Sequence, residues 1–267
     1  MLKLTPAVAL PSNEAALSAS PPAEPVVTRR RRVQQLPLGV RIPDRAVFAT
    51  FLPARNAEAT AHLERLASGA LTGAAWVCGL QGTGKSHLLQ AACVQASETM
   101  RAGYFPLVQL RTLGPEILEG AAQLDCLCLD DLDAVIGNIE WEHALFGIFR
   151  EIDERGARLI VSAGRPPSLV QWALPDLGSR FTATMVFQLR ALDEDELQEA
   201  LRLRAHTRGF ELPDETSRWL QRRFPRDMRA LYELLDTLDE AALVAQRKLT
   251  VPFIRSVLRE QEPGAAP

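Results

Sequence analysis

Hydrophobic positions along this chain follow no period at first, then strand and helix periods in alternation, then a helical period alone. Residues 1–34 mix Ala, Pro and Ser without any repeat and read as a disordered tail. From Ala74 onward, short apolar runs alternate with amphipathic segments. Ala75-Trp76-Val77-Cys78 predicts a strand, and 86–98 a helix whose apolar positions include Leu88, Leu89, Ala92 and Val94. The pattern then predicts a strand over 104–110, a helix over 114–123, and a fully apolar strand over 124–129 that ends in acids. Over 141–155, Leu145, Phe146, Phe149 and Ile152 fall on one helical face, and 158–162 and 184–189 predict two more strands. Strands that are apolar throughout and separated by helices imply a parallel sheet covered on both faces, an α/β architecture.

After Asp193 the strand signal stops. Helices are predicted over 193–206, 213–223, 226–247 and 251–259, with Pro213 and Pro252 in first turns and Thr250 as an N-cap. The expected organisation is a tail (1–34), a junction peptide (35–40), an α/β domain (41–192), a small all-α domain (193–260) and a disordered end (261–267). No internal repeat is visible.

Composition changes this picture little. At 47% hydrophobic and 24% charged residues the chain is of ordinary globular type. No apolar run approaches the ~20 residues of a membrane span, and no signal-peptide pattern is present, so a cytoplasmic protein with no membrane partner is expected. Four cysteines, with Cys126 and Cys128 alternating in an apolar run and no CxxC pair, predict buried free thiols rather than zinc ligands. A net charge of −3 excludes a basic field over the whole molecule. The local run Arg29-Arg30-Arg31-Arg32 reads either as a solvated linker or as a non-specific phosphate contact.

The chemistry concentrates after the first strand. Gly79-Leu80-Gln81-Gly82-Thr83-Gly84-Lys85-Ser86 satisfies G-x-x-x-x-G-K-[ST] at every fixed position, between a predicted strand and a predicted helix. The glycines let backbone N–H groups turn inward around phosphate oxygens, and Lys85 brings charge to the terminal phosphates. Ser86 offers a hydroxyl to Mg²⁺, while the following helix aims its positive end at the anion. Gln81, Thr83 and His87 complete the expected contact set. Asp130-Asp131 ends an apolar strand at the sheet edge where ligands bind. Asp130 is expected in the Mg²⁺ shell, and Asp131 is expected to orient a water.

Longer strings then carry a resemblance. They are the phosphate loop, Asp130-Asp131, 141–146 (WEHALF), 174–180 (LPDLGSR), 208–213 (RGFELP), 226–229 (RDMR) and 245–253 (AQRKLTVPF). In this order they resemble the bacterial initiators of the DnaA family and, more closely still, the shorter DnaA-homologous regulators of the Hda group, over about residues 35–259. The resemblance implies an AAA+ P-loop domain with a parallel sheet flanked by helices, followed by a small all-α lid domain, and it implies ADP or ATP as the nucleotide. Arg180 then matches the arginine finger that reaches a neighbouring subunit's nucleotide; taken alone, it reads as a surface ion-pair residue. Arg229 matches the second sensor, which touches phosphates in cis. Arg226 and Arg229 also fall in a predicted first turn, where the helix dipole disfavours cations unless an anion is near. Phe48, Phe51 and Asn56 are expected near the base.

Two departures bear on activity. Gly164 stands where an acid often sits in the first-sensor strand, which leaves Ser162 as the only polar substitute expected there. Asp131 replaces the glutamate base of most AAA+ hydrolases. Weak or no ATPase activity of the chain's own is therefore expected. Nothing resembling the initiators' helix-turn-helix follows the lid, so specific DNA binding is not expected.

Gln35-Leu36-Pro37-Leu38 resembles the QLxL peptide that docks on the sliding clamp of DNA polymerase III; alone, it also reads as the first strand or turn of the domain. The partners implied are DnaA and that clamp, with homo-oligomerisation left open. The function implied is regulation of chromosomal replication initiation through stimulated hydrolysis of DnaA-bound ATP. A non-catalytic DnaA-like adaptor, and after it a helicase loader, are the alternatives.

Overall fold

The computed structural model describes residues 46–207, 209–223 and 250–261, with residues 231, 234, 235, 237, 238 and 241 between them. Five strands form one sheet in the order β2-β3-β4-β1-β5, and every pairing is parallel. They are β1 (Gly73–Cys78), β2 (Ala102–Pro106), β3 (Cys126–Asp130), β4 (Arg158–Ala163) and β5 (Met185–Gln188). The helices of this region are α1 (Ala57–Ala67), α2 (Lys85–Ser97), the single turn α3 (Leu107–Leu110), α4 (Ile139–Arg155) and α5 (Pro175–Thr182).

Side-chain alternation along the strands sorts the core into two layers. Trp76 and Cys78, Leu127 and Leu129, and Leu159 and Val161 face the layer that holds Leu145 and Phe149 of α4 and Leu177 and Phe181 of α5. Ala75 and Val77, Cys126 and Cys128, and Ile160 face the layer of α1 and α2, with Leu63, Leu66, Leu88 and Leu89. Burial on both faces is why these strands are apolar without a polar alternate. All four cysteines are buried and free.

The structure departs from the sequence reading in several places. β2 ends at Pro106, whose missing N–H is tolerated at the close of an edge strand, and residues 107–110 form a helical turn that buries Leu107 and Leu110. Residues 114–123 are not one helix. Gly114 and Gly120 adopt positive φ around two 3₁₀ turns, Pro115–Leu118 and Ala121–Gln123, which still bury Leu118, Ala121 and Ala122. Helices α1 and α5 were not predicted at all. α1 buries Ala59, Leu63 and Leu66 along one stripe, and α5 starts with Pro175 at its first position.

α4 begins two residues earlier than predicted because Asn138 caps it, its side chain accepting from the N–H groups of Glu140 (3.0 Å) and Trp141 (3.3 Å). One turn in, the carboxylate of Glu142 is fully buried. It accepts the N–H of Gly137 at 2.7 Å and that of Leu174, the N-cap of α5, at 2.6 Å. Removing it strands two donors, each worth about 1–3 kcal/mol when buried without a partner. Glu142→Ala is therefore expected to lower the unfolding free energy by about 3 kcal/mol in urea titrations. A loss under about 1 kcal/mol would mean the two loops find other acceptors.

Beyond the sheet come α6 (Glu194–Thr207), α7 (Asp214–Arg223) and α8 (Val251–Gln261). Leu197, Leu201, Leu220 and Ile254 share a separate core there. Among the described residues no helix is long and apolar enough to cross a membrane.

Candidate phosphate-binding site

The loop between β1 and α2 has the backbone shape its glycines permit. Gly84, at φ +92°, caps α2, and a Cβ on it would lie 2.6 Å from the Phe51 ring. A Cβ on Gly79 would lie 2.9 Å from the Leu189 carbonyl oxygen and 3.0 Å from Thr83 Oγ1. Side chains are thus excluded at both ends of the loop. Thr83 is buried and donates its hydroxyl to the Leu80 carbonyl at 2.9 Å. The Lys85 ammonium arches back over the loop and donates to the carbonyls of Gly79 (2.9 Å) and Leu80 (3.1 Å). Gln81 is exposed and Ser86 half-buried on the first turn of α2, whose buried Leu88 and Leu89 pin the helix against the sheet. A helix N-terminus, a lysine and a backbone turned through positive φ at Gly79, Gly82 and Gly84 lie together here, a combination suited to a polyphosphate.

Asp130, at the end of β3, is 2% exposed. Its Oδ2 accepts from the Tyr104 hydroxyl of β2 at 2.6 Å, and its Oδ1 accepts from the Ser162 hydroxyl of β4. Gln90 of α2 in turn donates to the Tyr104 oxygen at 3.1 Å. Burial, then the Asp130 charge, push the Tyr104 hydroxyl far above the usual tyrosine range, so it stays a donor. Two donors leave further lone pairs on Asp130. Ser86 and Asp130 are the residues that would hold Mg²⁺, as hard oxygen ligands suit that ion. Asp131 sits at φ +56°, and its N–H donates to Ser162 Oγ at 2.9 Å.

Gly164 is not left to Ser162 alone. The Asp133 carboxylate accepts the Gly164 N–H at 2.5 Å, which brings an acid from the β3–α4 connection to the position where the sequence reading found none. Cys78, the last residue of β1, senses this geometry: burial pushes its thiol up, with Lys85 lowering it and Asp133 raising it.

His87 faces the N-terminal segment. Its Nε2 lies 3.1 Å from the Val47 carbonyl and 3.3 Å from Thr50 Oγ1, with its ring 5.6 Å from that of Phe51. Burial holds the imidazole below its ordinary value of 6.5, outweighing the Val47 hydrogen bond. The unfolded chain therefore takes up this proton first as pH falls. His87 contributes stability above about pH 6.5 that is lost below it, at no more than about 1.4 kcal/mol per pH unit. Denaturant midpoints at pH 7.5 and 5.5 should differ less in His87→Gln than in the parent; an equal difference would move the pH effect elsewhere.

Asn56, expected near the base, is 4% exposed and turned to another task. Its amide donates to the Arg190 carbonyl (3.0 Å) and accepts the Arg190 N–H (2.8 Å), while Arg55 pairs with Asp193 (2.5 Å) and Glu196 (3.1 Å). The segment beside the loop thereby grips the linker leading into α6. Phe51 packs on the loop, and Phe48 lies on the same α1–α2 layer.

Arg180 makes its described contacts with α4 rather than with the phosphate loop, its guanidinium carbon lying 5.0 Å from the ring centre of Phe146. Arg229, Gln35, Leu36, Pro37, Leu38 and the run 29–32 lie outside the described residues. Sequence reasoning missed Tyr104, Gln90 and Asp133, which act through partners far along the chain. The third acid in 130–133 was the one available signal.

Residues 180–258 match the family model described as Hda, lid domain. The fold matches domain III of the replication initiation protein DnaA from Thermotoga maritima with a TM-score of 0.68 and 22% identity, over 83% of this chain and 98% of that one. AMPPCP-bound DnaA from Aquifex aeolicus matches with a TM-score of 0.56 and 22% identity, over 71% of this chain and 64% of that one. A RuvB mutant from Thermotoga maritima matches with a TM-score of 0.59 and 17% identity, over 81% and 72%. The α/β core thus shares its fold with DnaA and RuvB, and the helical segment after β5 falls within the lid match. Over 180–258 the chain is thus similar to the lid of the Hda family, and its fold as a whole is that of DnaA domain III.

Proposed function

We propose that this chain is a regulator of chromosomal replication initiation that binds ADP or ATP, docks on the sliding clamp and promotes hydrolysis of DnaA-bound ATP through Arg180. The match to an Hda lid over 180–258 carries this reading. The shape of the Gly79–Ser86 loop supports nucleotide binding, with Lys85 and Arg229 on the phosphates and Ser86 and Asp130 on Mg²⁺. A DnaA of the same fold has been seen with AMPPCP and single-stranded DNA.

In the proposed reaction DnaA holds ATP on its own loop, and water attacks the terminal phosphorus to release ADP and phosphate. Arg180 enters from this chain as a planar, permanently charged group and stabilises charge on the transferred phosphoryl oxygens. The chain's own nucleotide acts as a structural ligand, consistent with Asp131 in place of a glutamate base. Gln35, Leu36, Pro37 and Leu38 tether the protein to the clamp: the leucines enter an apolar groove, and the proline limits the entropy lost on docking.

The decisive assay follows hydrolysis of DnaA-bound ATP with this chain, with and without clamp loaded on DNA. Stimulation that requires the loaded clamp supports the reading. No stimulation under either condition sinks it, and recruitment of DnaA without hydrolysis leaves the adaptor in its place.

A further inference from the structure

We infer that Phe146 is the platform that sets the pose of Arg180, which makes it a positioning residue for the arginine; its effect on hydrolysis rests on the role proposed for Arg180 above. The two side chains come from different elements, α4 and α5, and meet face to ring at 5.0 Å. Phe149 stands farther off at 5.8 Å and is already engaged, edge-on, with Phe181 at 5.2 Å and 88°. Phe146 is half-buried and makes no described ring contact of its own. Among the described residues no carboxylate pairs with Arg180 and no acceptor bonds its guanidinium, so the ring is its principal partner.

Register explains how the pair is held. Glu142 and Phe146 are four residues apart on α4 and share a face. The first fixes the Leu174 N–H at the head of α5, and the second meets the arginine projecting from the same helix. One face of α4 therefore sets both the helix and the side chain it carries. A guanidinium stacked on a ring keeps its N–H edge free, so it can stay on the platform while that edge bonds a phosphate oxygen. Without the ring, a long side chain must be ordered anew at each encounter.

The test compares Phe146→Leu, which keeps the apolar fill and removes the π face, with Phe146→Tyr, which keeps both. The first readout needs no partner. The Arg180 side-chain NMR resonance, identified by its disappearance in Arg180→Lys, should be ring-shifted upfield in the parent and in Phe146→Tyr, and unshifted in Phe146→Leu. The second is stimulated hydrolysis of DnaA-bound ATP. It should fall about 2- to 5-fold in Phe146→Leu, the factor a partly exposed cation–π contact provides, and recover in Phe146→Tyr. In an Arg180→Ala background Phe146→Leu should change nothing further.

An unshifted Arg180 resonance in the parent overturns the platform, and this holds even if Phe146→Leu fails to fold. A Phe146→Leu defect that persists in Arg180→Ala overturns it as well. A shift that Phe146→Leu abolishes, together with hydrolysis indifferent to Arg180→Ala, upholds the platform and removes the role of Arg180 in hydrolysis.

Discussion

Arg180→Ala is expected to reduce stimulated hydrolysis of DnaA-bound ATP by about 10³-fold or more, the scale on which an arginine finger acts in trans. The size of the effect comes from timing. Charge on the phosphoryl oxygens grows as the bond to the leaving oxygen breaks, so a fixed cation aimed there favours the transition state over the bound substrate. The substitution should leave the chain folded, because Arg180 is half-buried on a helix held by Leu177, Phe181 and the Glu142 bond to Leu174. Nucleotide binding by the chain itself should also persist, since Arg180 makes no described contact with the phosphate loop. Arg180→Lys should recover little: an ammonium keeps the charge but lacks the planar fork. Hydrolysis equal to that of the parent would dismiss the trans role and favour the adaptor.

Lys85→Ala should weaken ADP and ATP binding by about 100-fold or more, read as loss of heat in titration calorimetry. A hydrogen bond from a charged donor contributes about 1.5–3 kcal/mol, and about 2.7 kcal/mol corresponds to 100-fold in affinity. The fold should be nearly indifferent to the change. In this structure the ammonium bonds two loop carbonyls, those of Gly79 and Leu80, and the bond to Leu80 is exposed, so water can replace it. Binding and stability therefore separate in this variant, which makes it a clean probe of the loop. Parent-like heats would sink the assignment of 79–86 as a phosphate site, and the proposed regulator would fall with it.

The range of each interaction decides whether the sequence could reveal it. β1, β3 and β4 are legible because burial on both faces requires unbroken apolar runs, and the phosphate loop because its chemistry dictates residue type at fixed local spacing. The cap at Asn138 acts within three residues, a local signal that the helix expected over 141–155 did not include. The ends of β2 and the breaks in 114–123 were less so, since apolar spacing continues through Pro106 and Gly120 while the backbone does not.

The contacts that finish the site span long separations. Tyr104 meets Asp130 26 residues away, Asp133 meets Gly164 31 away, and Asn56 meets Arg190 134 away. Their side chains have many chemically equivalent partners in one dimension, and only the order of strands in the sheet selects among them. Asn56 shows the consequence most plainly: the family resemblance suggested that it lies near the base, and only the packed structure reveals that the Arg190 backbone meets both ends of its amide. The sequence by itself determined the alternation of elements, the glycine-rich loop with Lys85 and Ser86, and the acids at the end of β3 and just beyond it. Tertiary structure alone decided which hydroxyls hold Asp130, which acid reaches Gly164 and which ring receives Arg180, because those pairings exist only once distant segments are packed side by side.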